Sequence, residues 1–285
     1  MTVLEVIQKS SEFLAKKGVD SPRLQVELLL AQLLKMPRMK LYLNFDRTLT
    51  PAELDALRDQ VKRRGQREPL QHIVGSTSFC GLEMAVNRHV LIPRPETELI
   101  AETGYRVLNT RAAAGVACQA LDFGTGSGCL AITLAVKCLE AKITAVDISA
   151  EALAVARQNA TTHQVAERIQ WVQSDGFAAL PPESRFDLII SNPPYIAHDE
   201  IATLEPEVRD HDPRVALDGG SDGLDFYRRL AAEAPAWLRL DGRLLLEFGA
   251  GQAPDICRIL EAQKWIVEAV REDYSHRARM LIAHR

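Results

Sequence analysis

Apolar residues in the first 75 positions recur at three- and four-residue intervals, without strand-like alternation. Thr2 and Glu5 form a capping-box pattern ahead of Val3, Val6, Ile7 and Leu14. Ser21-Pro22 reads as an N-cap followed by proline at the first helical position, with Val26, Leu29, Leu30 and Leu33 on one face. Thr50-Pro51-Ala52-Glu53 joins both signals, and Leu54, Leu57 and Val61 follow at helical spacing. The spacing predicts a small helical bundle.

From His72 to Ile92 the chain breaks into short, Gly-separated pieces: HIVGSTSF, GLEMAVN and HVLIP. They read as strand-like and predict a β-hairpin bridging two domains. Arg94-Pro95-Glu96-Thr97-Glu98 then opens a helix through Leu99, Ile100 and Val107, and the Ala/Gly-rich residues 110–118 read as a loop. Beyond them strands and helices alternate. Strand-like runs fall at 120–123, 143–147, 169–173, 186–191, 243–248, 265–271 and 279–283, with helical runs at 129–136, 150–163, 224–238 and 253–262. Near-continuous apolar strands alternating with helices predict an α/β fold with a mainly parallel sheet covered on both faces. The last two strands, joined by a short connection, predict an antiparallel pair at one edge.

Composition narrows the function classes. At 285 residues, 47% hydrophobic and 25% charged, the chain has room for one large domain and a smaller one. Thirty-four basic against 38 acidic side chains argue against a protein held on polyanions by bulk charge. The charge is uneven: residues 1–75 carry a net +4 and the remainder −8. The helical part is therefore the better candidate for an acidic or nucleic-acid-associated partner, although solvated helix faces explain it equally well. The longest apolar run, residues 26–34, is interrupted by Glu27 and Gln32 and falls far short of a membrane span. The N-terminal MTVLEVIQKS lacks a basic segment followed by an apolar core, so a soluble cytoplasmic protein is expected. Five widely spaced cysteines without C-x-x-C, and seven histidines without i,i+4 pairing, predict reduced thiols and no metal site.

Two elements carry chemistry. Residues 120–128 read as a strand entering Gly124-Thr125-Gly126-Ser127-Gly128 and then a helix. Glycines allow a tight turn and close ligand approach, and the helix start offers free N–H groups. The spacing is G-x-G-x-G, with Cys129 where a dinucleotide fingerprint needs glycine, and no Walker lysine follows. Asp147 ends the second strand of the alternating half and suits a ribose diol. Loop and acid together resemble a class I S-adenosylmethionine site; a nicotinamide or flavin site with a degenerate last glycine is the alternative. Gly219-Gly220-Ser221-Asp222-Gly223 and Gly249-Ala250-Gly251 read as turns and helix entries.

The second element, Asn192-Pro193-Pro194-Tyr195, closes the fourth strand of that half. Two prolines remove two donors and hold the backbone extended. The Asn192 side-chain oxygen and the Pro193 carbonyl are left as two rigid acceptors, matching the two hydrogens of a planar –NH2 group, while Tyr195 offers a flat stacking face. In a doubly wound sheet the first and fourth strands are neighbours where the strand order reverses, so both elements face one crevice. A rigid strand-end turn is the bland alternative. No clear general base is visible: Asp187 reads as structural, and Glu96 and Glu98 serve equally as helix N-terminal charges.

Taken with Glu68-Pro69-Leu70-Gln71-His72-Ile73-Val74-Gly75, Phe79-Cys80-Gly81, Val90-Leu91-Ile92-Pro93-Arg94-Pro95-Glu96-Thr97-Glu98, residues 216–220 (ALDGG) and 223–228 (GLDFYR), these motifs resemble the peptide chain release factor glutamine methyltransferases over nearly the whole chain. The resemblance implies a class I, Rossmann-like methyltransferase domain (residues 94–285) with a seven-stranded, mostly parallel sheet. Ahead of it lie an N-terminal helical substrate-recognition domain (1–71) and a β-hairpin linker (72–93). It implies S-adenosylmethionine-dependent methylation of the side-chain amide nitrogen of the glutamine in the Gly-Gly-Gln loop of bacterial release factors. Ribosome proximity fits that role, with no membrane and no direct nucleic acid substrate. By position, Gly124 to Gly128 hold the methionine end of the cofactor, Asp147 the ribose, and Asp175 lies near the adenine. Asn192, Pro193, Pro194 and Tyr195 hold the amide, and Asn192 also borders the cofactor. Cys80 stands where an aromatic is common, Gly176 where many members carry a bulky residue, and residues 274–279 lack the usual glycine. The alternatives are a ribosomal-protein glutamine methyltransferase, from which the P-E-T-E motif tilts the reading away, and an adenine N6-methyltransferase of DNA or RNA. The negative charge of the catalytic part weighs against the latter.

Overall fold

The computed structural model describes residues 1–115 and 117–285, which divide into two compact units. The first comprises Met1–Ser76 together with Glu205–His211. It holds α1 (Val3–Lys16), α2 (Pro22–Leu33), α3 (Arg38–Leu41), α4 (Pro51–Gly65) and α5 (Leu70–Val74). Thr2 and Thr50 each form the expected capping box with Glu5 and Glu53. Ser21 does not cap: its φ of 48° is left-handed and its hydroxyl makes no cap bond, so Pro22 alone marks the start of α2. Val3, Ile7, Leu14, Leu29, Leu30, Leu41 and Leu57 form the core, and the spacing-based prediction of a bundle holds.

The strand-like reading of His72-Ile73-Val74 is corrected. These residues close α5, which starts after Pro69 and is stopped by Gly75 at φ 87°, and Ile73 joins the helical core.

Glu205–His211 enters this unit through a short helix, α6 (Pro206–Arg209). Arg64 and Arg67 both donate to Glu207, at 2.6–2.7 Å. Burial raises the Glu207 pKa, but the two arginine hydrogen bonds outweigh it and hold the carboxyl down at about 2. The stabilisation is therefore present above the ordinary carboxylate range and is lost as pH falls toward about 2. Glu207→Ala leaves the buried Arg64 guanidinium without its carboxylate. The expected cost is about 3 kcal/mol, read by scanning calorimetry as a downward shift of this unit's transition; an unchanged transition would refute the clamp.

The second unit, Thr77–Leu204 with Asp212–Arg285, is the sheet domain. The hairpin β1 (Ser76–Phe79) and β2 (Leu82–Ala85) turns at Cys80-Gly81, both with positive φ, as a two-residue hairpin turn demands. The Glu98 carboxylate accepts from the Cys80 N–H at 2.6 Å, which gives Glu98 a structural task. HVLIP is not a strand: its first residues close a turn in which the Val90 N–H donates to the Asn87 carbonyl, and Val90 and Ile92 are buried beside Ala152 and Val155.

α7 (Thr97–Ala113) follows and runs four residues into the stretch read as a loop, because Arg111 anchors its last turn to Asp187 and Asp241. Val116, in the same stretch, lies outside the described residues. Then come β3 (Gln119–Phe123), α8 (Cys129–Lys137), β4 (Lys142–Asp147), α9 (Ala150–Thr162), β5 (Ile169–Gln173), β6 (Phe186–Ser191), α10 (Asp225–Glu233), β7 (Leu238–Glu247), α11 (Ala253–Ala262), β8 (Ile266–Glu272) and β9 (Ala278–His284). The helix expected over 224–238 ends at Glu233, since Pro235 cannot donate to its preceding turn, and the freed residues let β7 begin at Leu238.

The sheet order is β5-β4-β3-β6-β7-β9-β8, parallel from β5 to β7, with β9 antiparallel to both neighbours. Every residue of β6 is buried, as its unbroken apolar run requires. The strand order reverses between β3 and β6, which opens a crevice at their carboxyl ends. No helix among the described residues is long and apolar enough to cross a membrane.

Candidate active site

The turn after β3 places Gly124, Gly126 and Gly128 at φ 76°, 54° and 82°. A Cβ on Gly124 or Gly126 would meet nothing within 4 Å, so the backbone there borders open space. A Cβ on Gly128 would lie 2.9 Å from Ile132 and 3.0 Å from Ala156; that glycine serves helix packing, not the crevice wall. Asp122, fully buried, accepts from Thr125 Oγ1 at 2.6 Å and from the Ala131 N–H at 3.0 Å, pinning the loop to the start of α8. Burial raises its pKa to about 7 against those two bonds. Asn159 of α9 donates to the carbonyls of Ser127 and Ala85 and accepts from the Ala85 N–H, joining loop and hairpin.

Asp147 ends β4 with Oδ2 accepting from the Gly126 N–H at 2.8 Å and Oδ1 from the Ser149 N–H at 2.9 Å. Burial raises its pKa, and the backbone donors oppose the rise. Asp175 lies beyond β5, where Arg229 of α10 donates to its carboxylate at 2.5 Å and to its carbonyl at 2.9 Å. A Cβ on Gly176 would come within 2.5 Å of the Arg229 guanidinium. The bulky residue expected beside Asp175 is thus replaced by an arginine from another helix.

Gly124, Thr125, Gly126, Ser127, Asp147, Asp175, Asn192, Pro193 and Pro194 line one crevice, together with Ile148, Phe226, Arg229, Arg94 and Thr97. Tyr195 is not among its lining residues; it packs on the core, near Gly249, while Gln252 donates to its carbonyl at 2.9 Å. Asn192 Nδ2 donates to Thr97 Oγ1 at 3.2 Å. Arg94 donates to Asp212 Oδ2 at 2.8 Å, and burial lifts that acid to about 6. Asp187 accepts from Arg111 and from the Gln119 N–H, which makes it structural as expected.

Sequence reading missed Arg229, Thr97 and Arg94 as crevice residues. The last two sit in the I-P-R-P-E-T-E motif already singled out, whereas nothing local to Arg229 signals Gly176, 53 positions upstream.

The open glycine turn, the carboxylate at the tip of β4 and the crevice at the strand reversal fit a nucleoside with a charged tail. The model described as "PrmC N-terminal domain" matches residues 5–75, and "Methyltransferase small domain" matches 101–206. Among solved structures, the human Mettl16 catalytic domain with a MAT2A hairpin shares the fold (TM-score 0.54, 14% identity, 82% of each chain). So does the Thermus thermophilus 16S rRNA N2 G1207 methyltransferase (TM-score 0.50, 22% identity, 74% of this chain and 49% of that one). The second unit is a class I S-adenosylmethionine-dependent methyltransferase. Release factor glutamine methyltransferases from Geobacter sulfurreducens (45% identity; 90% of this chain, 87% of that one) and Chlorobaculum tepidum (42%; 96% and 94%) match the whole chain nearly end to end. The chain belongs to the release factor glutamine methyltransferase family.

Proposed function

We propose that this enzyme methylates the side-chain amide nitrogen of the Gly-Gly-Gln glutamine of bacterial release factors, acting in the cytoplasm within reach of the ribosome and not on nucleic acid. The observation that carries the reading is the pair of rigid acceptors, Asn192 and Pro193, in the same crevice as the glycine turn. Bound in the crevice, S-adenosylmethionine supplies an electrophilic methyl group on a sulfonium.

An amide nitrogen is a weak nucleophile because its lone pair is shared with the carbonyl. The protein's main task is therefore alignment, which supplies several kcal/mol. Asn192 Oδ1 and the Pro193 carbonyl accept the two amide hydrogens and turn the nitrogen toward the methyl. Both contacts strengthen as positive charge develops on that nitrogen. Pro194 holds the backbone extended. Tyr195, half-buried with one side of its ring on the core, buttresses the element. Gly124 to Ser127 border the methionine end, Asp147 accepts from the ribose hydroxyls, and Asp175 with Arg229 borders the adenine.

Arg229 lies where a flat guanidinium can stack on a base. Arg229→Ala should weaken cofactor binding about tenfold by calorimetry with kcat at saturation nearly unchanged; unaltered affinity would show that Arg229 only tethers Asp175. The reading as a whole is tested with labelled S-adenosylmethionine offered to a release factor, to its loop Gln→Ala variant, to ribosomal protein and to duplex DNA. Label on the intact factor alone is the expected result. Label on DNA, or equal label on the loop variant, overturns it.

A further inference from the structure

The charged tail of the nucleoside that fits the crevice needs a partner, and the order of the walls says where to look. Asp175 follows β5, Asp147 ends β4, the glycine turn follows β3 and Asn192 follows β6, and those four strands stand side by side in that order. With the adenine at Asp175 and the ribose on Asp147, the methionine tail runs past the glycine turn toward the β6 end.

That end meets the start of α7. Pro93 and Pro95 restrict the backbone on either side of Arg94. The Thr97 N–H donates to the Arg94 carbonyl at 3.0 Å, and Asn192 Nδ2 donates to Thr97 Oγ1 at 3.2 Å, so the turn is tied to the end of β6. Arg94 itself lines the crevice.

Arg94 and Arg229 both line the crevice, but they are engaged differently. Arg229 donates to Asp175 and to Glu233. Arg94 donates to Asp212 through Nη2 alone, and a guanidinium has five N–H donors. If neutralising Asp212 were its whole task, the fork would close on both carboxylate oxygens, as such pairs commonly do. Instead Asp212 Oδ1 has no hydrogen-bond partner among the described residues. The Asp212 side chain is 1% exposed and that of Arg94 37%. A buried acid thus fixes one nitrogen of a guanidinium whose other donors remain accessible for a second anion.

We propose that Arg94, oriented by Asp212, takes the α-carboxylate of the S-adenosylmethionine tail and makes the enzyme select cofactors that carry it. The proposal rests on the cofactor placement above and is independent of which acceptor is methylated.

The test titrates S-adenosylmethionine and its decarboxylated analogue, which keeps the sulfonium and the ammonium, into wild type, Arg94→Gln, Arg94→Lys and Asp147→Ala. Binding is read by calorimetry with no release factor present. The wild type should bind the decarboxylated compound about 30-fold more weakly, the worth of a hydrogen bond between charged groups. Arg94→Gln should weaken S-adenosylmethionine by the same factor and change the decarboxylated compound by no more than about twofold, so that the discrimination disappears. Arg94→Lys, a point charge on a flexible stem, should keep part of it. Asp147→Ala should weaken both compounds alike.

Equal binding of the two compounds by the wild type overturns the proposal, as does an Arg94→Gln variant that still discriminates or that weakens both alike. Because Arg94→Gln leaves Asp212 without its cation, Arg94→Gln/Asp212→Asn repeats the measurement with both charges removed, and the same results decide. Unaltered binding in Asp147→Ala sinks the cofactor placement and the proposal with it, whereas equal binding by the wild type sinks the proposal alone.

Discussion

Asn192→Ala is expected to lower kcat on a release factor by about 10²–10³-fold, the loss that follows removal of one preorganised contact to a charge-developing group. The side chain leaves one amide hydrogen without an acceptor, and the nitrogen is free to rotate away from the methyl. Cofactor affinity should change by no more than about threefold, because the glycine turn, Asp147 and Asp175 sit at the carboxyl ends of other strands, β3, β4 and β5. Single-turnover methyl transfer with cofactor affinity measured in parallel decides the matter. An equal, large loss of cofactor binding would make Asn192 a cofactor residue first.

The second large effect is expected at Asp147, and it falls on the other parameter. Its carboxylate already accepts from the Gly126 and Ser149 N–H groups, and has lone pairs left for a diol. On the proposed reading, Asp147→Ala removes the charge that orders the glycine turn as well as the acceptor for both ribose hydroxyls. Two hydrogen bonds to a charged group are together worth about 3 kcal/mol, or about 10²-fold in Kd. Isothermal calorimetry should show at least that loss. Turnover at saturating cofactor should fall far less than in Asn192→Ala. Retained affinity would mean that the carboxylate serves only the loop.

The roles proposed for these two residues rest on short signals. A carboxylate at a strand tip after a glycine turn, and a polar residue before two prolines at the end of an apolar strand, each declare their chemistry within a few positions. The role proposed for Asp175 rests on family resemblance, and Tyr195 needs the tertiary structure to place its ring. Its motif position is right, yet its ring is held on the core near Gly249. Glu98, weighed as a helix-start charge or a base, instead takes the Cys80 N–H of a turn 18 residues upstream.

By itself the sequence determined the helices with capping boxes, the alternating strands, the glycine turn, Asp147 and the N-P-P-Y element. Each follows from backbone conformational preference and from burial patterns that act within one or two turns or a single strand. Only the tertiary structure decided that Glu207 is clamped by Arg64 and Arg67, that Arg229 fills the space beside Gly176, and that Asn192 donates to Thr97. These arrangements join residues 53 to 143 positions apart. They arise from complementary charge and shape once the sheet is assembled, and side-chain complementarity across such separations has no period for a sequence to display.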